Sequence, residues 1–210
     1  MGSVTRQATA LGEPGDRPLS ELPRSPLDTH HVAYRAHHKD RSPWWYASND
    51  DGRFNLQNPD GTCYLANNRT CAVREVAGES LIELGYVTAD FAASRIVSTL
   101  AMPAPRTLAD LTHSDAANHG ITREIHTCVP YRIPRLWAAA IHRHCFDGIR
   151  YLPRFSTGVN DIGFALFGAA GQHDHPKDPA PQRFESAALG AGIKVVRPPR
   201  TVTILDPPTT

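Results

Sequence analysis

Arg53, Tyr64 and Glu75 stand eleven residues apart in turn, and Arg35 lies upstream of all three. The set offers guanidinium groups, an aromatic ring and a carboxylate. Guanidinium presents paired donors that match phosphate oxygens. A tyrosine ring packs against a flat or sugar-like group. An ionised carboxylate stabilises positive charge that develops on a sugar carbon as a glycosidic bond breaks. The same residues also fit a plainer account: surface arginines, a core tyrosine and a salt-bridged glutamate.

The intervening elements favour convergence. Thr62-Cys63-Tyr64-Leu65-Ala66 is an apolar run of strand length behind the turn Asn58-Pro59-Asp60-Gly61. Asn67 and Asn68 supply N-cap oxygens, and the pattern predicts a helix over 70–78, ended by Gly78. At 100° per residue Glu75 falls within the arc that Cys71, Ala72 and Val76 would bury. A carboxylate there must find a partner or change its protonation, and a neighbouring arginine is expected to keep it charged. Loop, strand, cap and helix then bring the three groups to one end of a strand.

The rest of the chain reads as one α+β domain. Its 210 residues suffice for a single core. Lys+Arg 22 against Asp+Glu 21 gives a net charge of +1, which excludes general attraction to polyanions, so no direct nucleic-acid partner is expected. No apolar run reaches membrane-span length, and residues 1–22 lack the apolar core of a signal peptide. Cys63, Cys71, Cys128 and Cys145 form no Cys-x-x-Cys pair and read as free thiols of a cytoplasmic protein.

Residues 1–27 are rich in Pro, Gly, Ser and charge and predict a mobile tail. The domain is placed at 28–206, with a core at 28–168, an extension at 169–206 and a short tail at 207–210. Strands are expected at 30–35, 95–100, 149–152 and 162–167, with a last pairing between 194–196 and 201–205. Residues 108–117 read as a short helix or turn. Pro134 to Cys145 reads as a helix with Leu136, Trp137, Ala140, Ile141 and His144 on its apolar stripe. Trp44-Trp45-Tyr46 reads as a core cap or a stacking platform. His173-Asp174-His175 lacks a third ligand nearby, so no metal site is expected. Neither a dinucleotide-type glycine fingerprint nor a Walker loop is present.

Gly52-Arg53-Phe54-Asn55, Tyr64-Leu65-Ala66 and Ala72-Val73-Arg74-Glu75-Val76, preceded by Tyr34-Arg35, resemble the RES-domain family. The likeness continues through Leu108-Ala109-Asp110-Leu111, Gly120-Ile121, Trp137-Ala138, Asp147-Gly148-Ile149-Arg150-Tyr151 and Ala165-Leu166-Phe167. It spans roughly residues 28–168.

The resemblance implies an ADP-ribosyltransferase-like mixed sheet and cleavage of the nicotinamide–ribose bond of NAD+ by phosphorolysis or hydrolysis. NAD+ is then a substrate rather than a resident cofactor, with inorganic phosphate a candidate co-substrate. It also implies a toxin held by a helix-turn-helix antitoxin, and self-association. Arg35, Arg53, Tyr64 and Glu75 match the family's functional positions, and Tyr151 and Arg154 belong to its Tyr-x-Ser-Arg run. Pro153 stands where that run has serine, and proline has neither hydroxyl nor amide donor. Ser156 is the nearest substitute. This departure keeps two other readings open: transfer of ADP-ribose to a macromolecule, and a nucleotide- or partner-binding protein without turnover.

Overall fold

The computed structural model describes residues 11–198. In chain order the elements are β1 (Arg24–Leu27), β2 (Val32–His38), β3 (Trp45–Tyr46), β4 (Asp60–Ala66), α1 (Arg69–Leu84), β5 (Val87–Thr88), α2 (Ala89–Ala93) and β6 (Arg95–Ala101). There follow β7 (Arg106–Asp110), 3-10 turns at Ser114–His119 and Arg123–His126, α3 (Arg132–Arg143), β8 (Gly148–Tyr151) and β9 (Gly163–Ala169). The last elements of the described residues are β10 (Gly171–Gln172), β11 (Gln182–Arg183), α4 (Phe184–Gly190) and β12 (Val195–Val196).

Eight strands form one mixed sheet in the order β1-β7-β8-β9-β4-β2-β6-β11, with β7 and β8 parallel and the other pairs antiparallel. This is the expected α+β class. Alternation along β4 sorts the core. Tyr64 and its register partner Ala165 face α3, packing with Trp137, Ile141 and Phe167. Ala66 shares that face further along, where α1 and α4 cover it with Cys71, Val73 and Phe184. Cys63 and Leu65 face the other way, under Trp44 and Tyr46. The aromatic cluster is thus a core lid for two of its members, and Trp45 is left 39% exposed.

Four expectations are corrected. The segment at 11–27 is not a tail: β1 pairs with β7, and Leu11, Leu19 and Leu22 are buried against Trp137. Each such leucine contributes about 1.5–3 kcal/mol when fully buried, but their spacing follows no period and so gave no signal. Residues 1–10 lie outside the described residues. Residues 106–110 are strand because β1 and β8 pair with them on both sides, a non-local cause. Val195–Val196 pairs with Val87–Thr88 instead of 201–205, which also lie outside the described residues.

The fourth correction concerns α1. The helix runs past Gly78 to Leu84, where Gly85 at φ 73 donates its amide to the Leu81 carbonyl. Gly78 is not a terminator. A Cβ there would lie 2.0 Å from Cγ of Phe155, so the missing side chain makes room for a ring.

Candidate functional site

Helix α1 starts where expected. Asn68 caps it by accepting the Cys71 amide at 2.8 Å, while Asn67 accepts the Ile162 amide at 3.0 Å and ties the β4–α1 turn to β9. The helix then crosses the sheet and leaves a slot of about 180 Å³ between them. Cys71, Ala72, Glu75 and Val76 form one wall, and Tyr34, Tyr64 and Tyr151 belong to the other.

Glu75 is engaged from across the slot. Its Oε1 accepts the backbone N–H of Phe155 at 2.6 Å. Burial pushes its carboxyl above the ordinary glutamate value. The backbone amides of Phe155 and Arg154, and then the charges of Arg53 and Arg154, draw it part of the way back. The expected arginine partners are present, but burial outweighs them.

Tyr64 is rigid: its hydroxyl accepts the Phe54 amide at 2.8 Å, and its ring meets Tyr151 edge-on at 6.4 Å. Burial drives both phenols above their ordinary value, so both stay neutral donors. Tyr151 in turn packs on Phe54 at 5.1 Å. Loop and strand are therefore locked together, which fixes Arg53 beside them.

Arg53 is 7% exposed. One guanidinium nitrogen donates to the Cys128 carbonyl at 2.8 Å, and Cζ lies 4.6 Å from the centre of the Tyr131 ring. Its Nη2 is buried with no hydrogen-bond partner among the described residues. An unsatisfied buried guanidinium donor is costly, and a phosphate oxygen would satisfy it. Arg154 approaches the same ring, with Nη1 at 3.4 Å from the Tyr131 hydroxyl. Tyr131 thus sits between the two arginines. It had no sequence signal, being one exposed-looking aromatic before a helix.

Arg35 is among the residues that line the slot, between Tyr34 and Ala36 on β2, but its guanidinium is turned away from Glu75. Its guanidinium donates to the carbonyls of Pro43 at 2.6 Å and Trp45 at 3.1 Å and lies 2.9 Å from Cys63 Sγ. Those contacts belong to the opposite face of the sheet from Tyr64 and Glu75. The reason is strand parity: Tyr34 pairs with Ala66, which puts Tyr34 on the slot side and its neighbour Arg35 on the other.

Ser156 is buried, and its hydroxyl donates to Asp161. Burial alone would raise the Asp161 carboxyl; hydrogen bonds from Ser156, Asn68 and the Gly158 backbone overcome it and hold it below its ordinary value. Ser156 therefore anchors the loop after β8. It lines a separate cavity of about 650 Å³ with Arg123, Arg150 and Arg154, beyond the loop that holds Glu75. Pro153, in the family's serine position, lines that same cavity.

Cys71 lies one turn before Glu75. Burial, and then the Glu75 and Asp161 carboxylates, push its thiol up to about 12, so it is an inert wall. His126, unremarked in the sequence, separates the 650 Å³ cavity from the core. It accepts the Leu152 amide on Nδ1 at 3.4 Å, and burial lowers its pKa to about 4. Among the described residues, no group of three or more His, Cys, Asp or Glu is placed to hold a metal, and no helix is long and apolar enough to cross a membrane.

The family model described as "RES domain" matches residues 32–186. Among solved structures, the chain is similar to a chain of the crystal structure of the M. tuberculosis MbcT–MbcA toxin–antitoxin complex. The TM-score is 0.62 at 12% identity, over 80% of this chain and 92% of that one. At that identity the likeness speaks for the fold alone. No curated protein matches.

Proposed function

This chain belongs to the RES-domain family, and on that premise we propose that it cleaves the nicotinamide–ribose bond of NAD+, as a toxin-type enzyme restrained by a partner protein. One observation supports the reading most: Glu75 projects from a helix into a slot walled by neutral tyrosines, while the charges of Arg53 and Arg154 act on its carboxylate.

The slot is smaller than the roughly 300–1,000 Å³ of drug-sized sites. It takes one end of a dinucleotide, and the nicotinamide ribose is the end whose chemistry needs the carboxylate. Nicotinamide leaves from a cationic ring, so no general acid is required. Its departure places positive charge on the ribose carbon, which ionised Glu75 offsets. Tyr64 and Tyr151 give the sugar or ring a fixed aromatic wall, and their neutral hydroxyls do not compete with Glu75 for positive charge. Arg53, through its unpartnered nitrogen, and Arg154 orient the pyrophosphate.

The test is NAD+ consumption by the purified chain. The wild type is expected to release nicotinamide, and Glu75→Gln to lose on the order of 10²–10³ in rate with its fold intact. Absence of turnover, or an unaffected variant, refutes the reading. Running the assay with and without phosphate separates ADP-ribose 1″-phosphate from ADP-ribose. Adenine-labelled NAD+ detects transfer to a macromolecule. The antitoxin partner is tested by co-expression with the small helix-turn-helix protein of a neighbouring gene: growth arrest by this chain alone, relieved by the partner, supports it.

A further inference from the structure

On the face of the sheet opposite Glu75, a cavity of about 380 Å³ opens between the β2–β3 turn, β6 and the 172–181 loop. Three cationic side chains line it: Lys39, Arg41 and Lys177. None of the three makes an ion pair among the described residues. We propose that this cavity binds a phosphate dianion, free or as the head of a small phosphomonoester, on Lys39, Arg41 and Lys177.

The walls are built rather than incidental. The Trp44 indole donates to the Pro176 carbonyl at 2.8 Å, immediately before Lys177. Immediately after it, the Asp178 carboxylate accepts the Thr99 amide at 2.7 Å and the Ala180 amide at 2.9 Å. Lys177 is thereby held between two pinned residues. The turn opposite is fixed by the Lys39 amide on the Ser94 carbonyl at 2.9 Å and the Arg41 amide on the His38 carbonyl at 3.0 Å. All three cations therefore stand on backbone tied to the sheet, which lowers the ordering cost of a ligand.

Two carboxylates, Asp40 and Asp178, line the same cavity, so three cations against two acids leave one net positive charge. Both oxygens of Asp178 accept backbone amides, which fixes its carboxylate against Thr99 and Ala180 but leaves its charge in place. Asp40 is 73% exposed and lies beside His38, at 3.5 Å. The inner wall is neutral: His37, 9% exposed, lies 3.0 Å from the His38 carbonyl through Nδ1 and 2.9 Å from Ser98 Oγ through Nε2. A carbonyl only accepts, so Nδ1 carries the proton and Ser98 donates to Nε2. Positive charge is confined to the rim, where a compact dianion is matched by several charge-assisted donors.

The probe is inorganic phosphate, titrated calorimetrically into the full chain, with sulfate and ribose 5-phosphate as further arms. Saturable phosphate binding is expected, weakened roughly tenfold by Lys177→Gln and further by the Lys39→Gln/Arg41→Gln/Lys177→Gln combination. Arg53→Gln, on the other face, leaves unchanged the binding that the triple variant removes. Tighter binding of ribose 5-phosphate than of phosphate identifies a phosphomonoester; equal or weaker binding identifies the free ion. These substitutions lie on exposed side chains, and an unchanged circular dichroism spectrum secures the fold. No saturable binding, or binding untouched by the triple variant, overturns the proposal. None of these readouts depends on NAD+ turnover.

Discussion

Phe155 holds Glu75 in two ways: its backbone amide donates to the carboxylate at 2.6 Å, and its ring fills the space that a Cβ at Gly78 would take, one helical turn further along α1. The loop after β8 and the helix that carries the acid are therefore one unit.

That unit yields a test at Gly78. Alanine improves helix propensity by about 1 kcal/mol, yet its Cβ would collide with Phe155. Gly78→Ala is expected to keep helical content and to lower NAD+ turnover by roughly tenfold or more, as the displaced ring pulls its amide off Glu75. A variant that melts higher with full activity would separate the loop from the chemistry.

The protonation of Glu75 sets a pH dependence. Burial raises its folded value above the ordinary 4.5, so activity that needs the anion falls on acidification at higher pH than an exposed glutamate would dictate. The stability sign is opposite. A raised folded value contributes stability below the unfolded pKa, and that contribution is lost as pH rises through the folded value. Glu75→Gln is therefore expected to melt above the wild type at neutral pH while being inactive. Parallel melting curves and kcat/KM profiles from pH 4 to about 8 check both halves.

His126 gives the reverse slope. Its folded value, about 4, lies below the ordinary 6.5. The unfolded chain binds the extra proton in that interval, so stability is present above pH 6.5 and is lost as pH falls toward 4. The shift corresponds to about 3 kcal/mol. Urea unfolding at pH 7 and at pH 4.5 should show this loss, and His126→Asn, which retains an acceptor for the Leu152 amide, should flatten it.

Tyr131 tests how the arginines are held. Its ring lies 4.6 Å from Arg53 Cζ and its hydroxyl 3.4 Å from Arg154 Nη1. Tyr131→Ala should raise KM for NAD+ by roughly 5- to 30-fold, from a cation–π contribution of about 1–2 kcal/mol, with a smaller effect on kcat. Tyr131→Phe keeps the ring and should recover most of the loss. Equal damage from both variants would point to the hydroxyl instead.

Local signals made much of this molecule legible. The asparagine cap, the apolar run around Tyr64 and the stripe on α3 depend on near neighbours, and each of these elements begins within two residues of its expected start. The placement of Glu75 on the covered face of α1 followed from helical periodicity, whereas the excess of burial over arginine charge did not. Non-local contacts were not legible. β7 is strand because two distant segments pair with it, the leucines before β1 find a core only after folding, and Gly78 reads as a helix stop until Phe155 is seen above it.

The sequence by itself determined which residues could do chemistry and the family to which they belong. It also determined that Tyr34 and Arg35, as neighbours on one strand, must face opposite ways. Only the tertiary structure decided which of them joins Glu75. Pairing of Tyr34 with Ala66 turns the tyrosine toward the slot and sends the Arg35 guanidinium to Cys63 on the far face, leaving Arg53 and Arg154 as the charges beside the acid. Register is set by the sum of contacts across the whole sheet, and no single segment contains that sum.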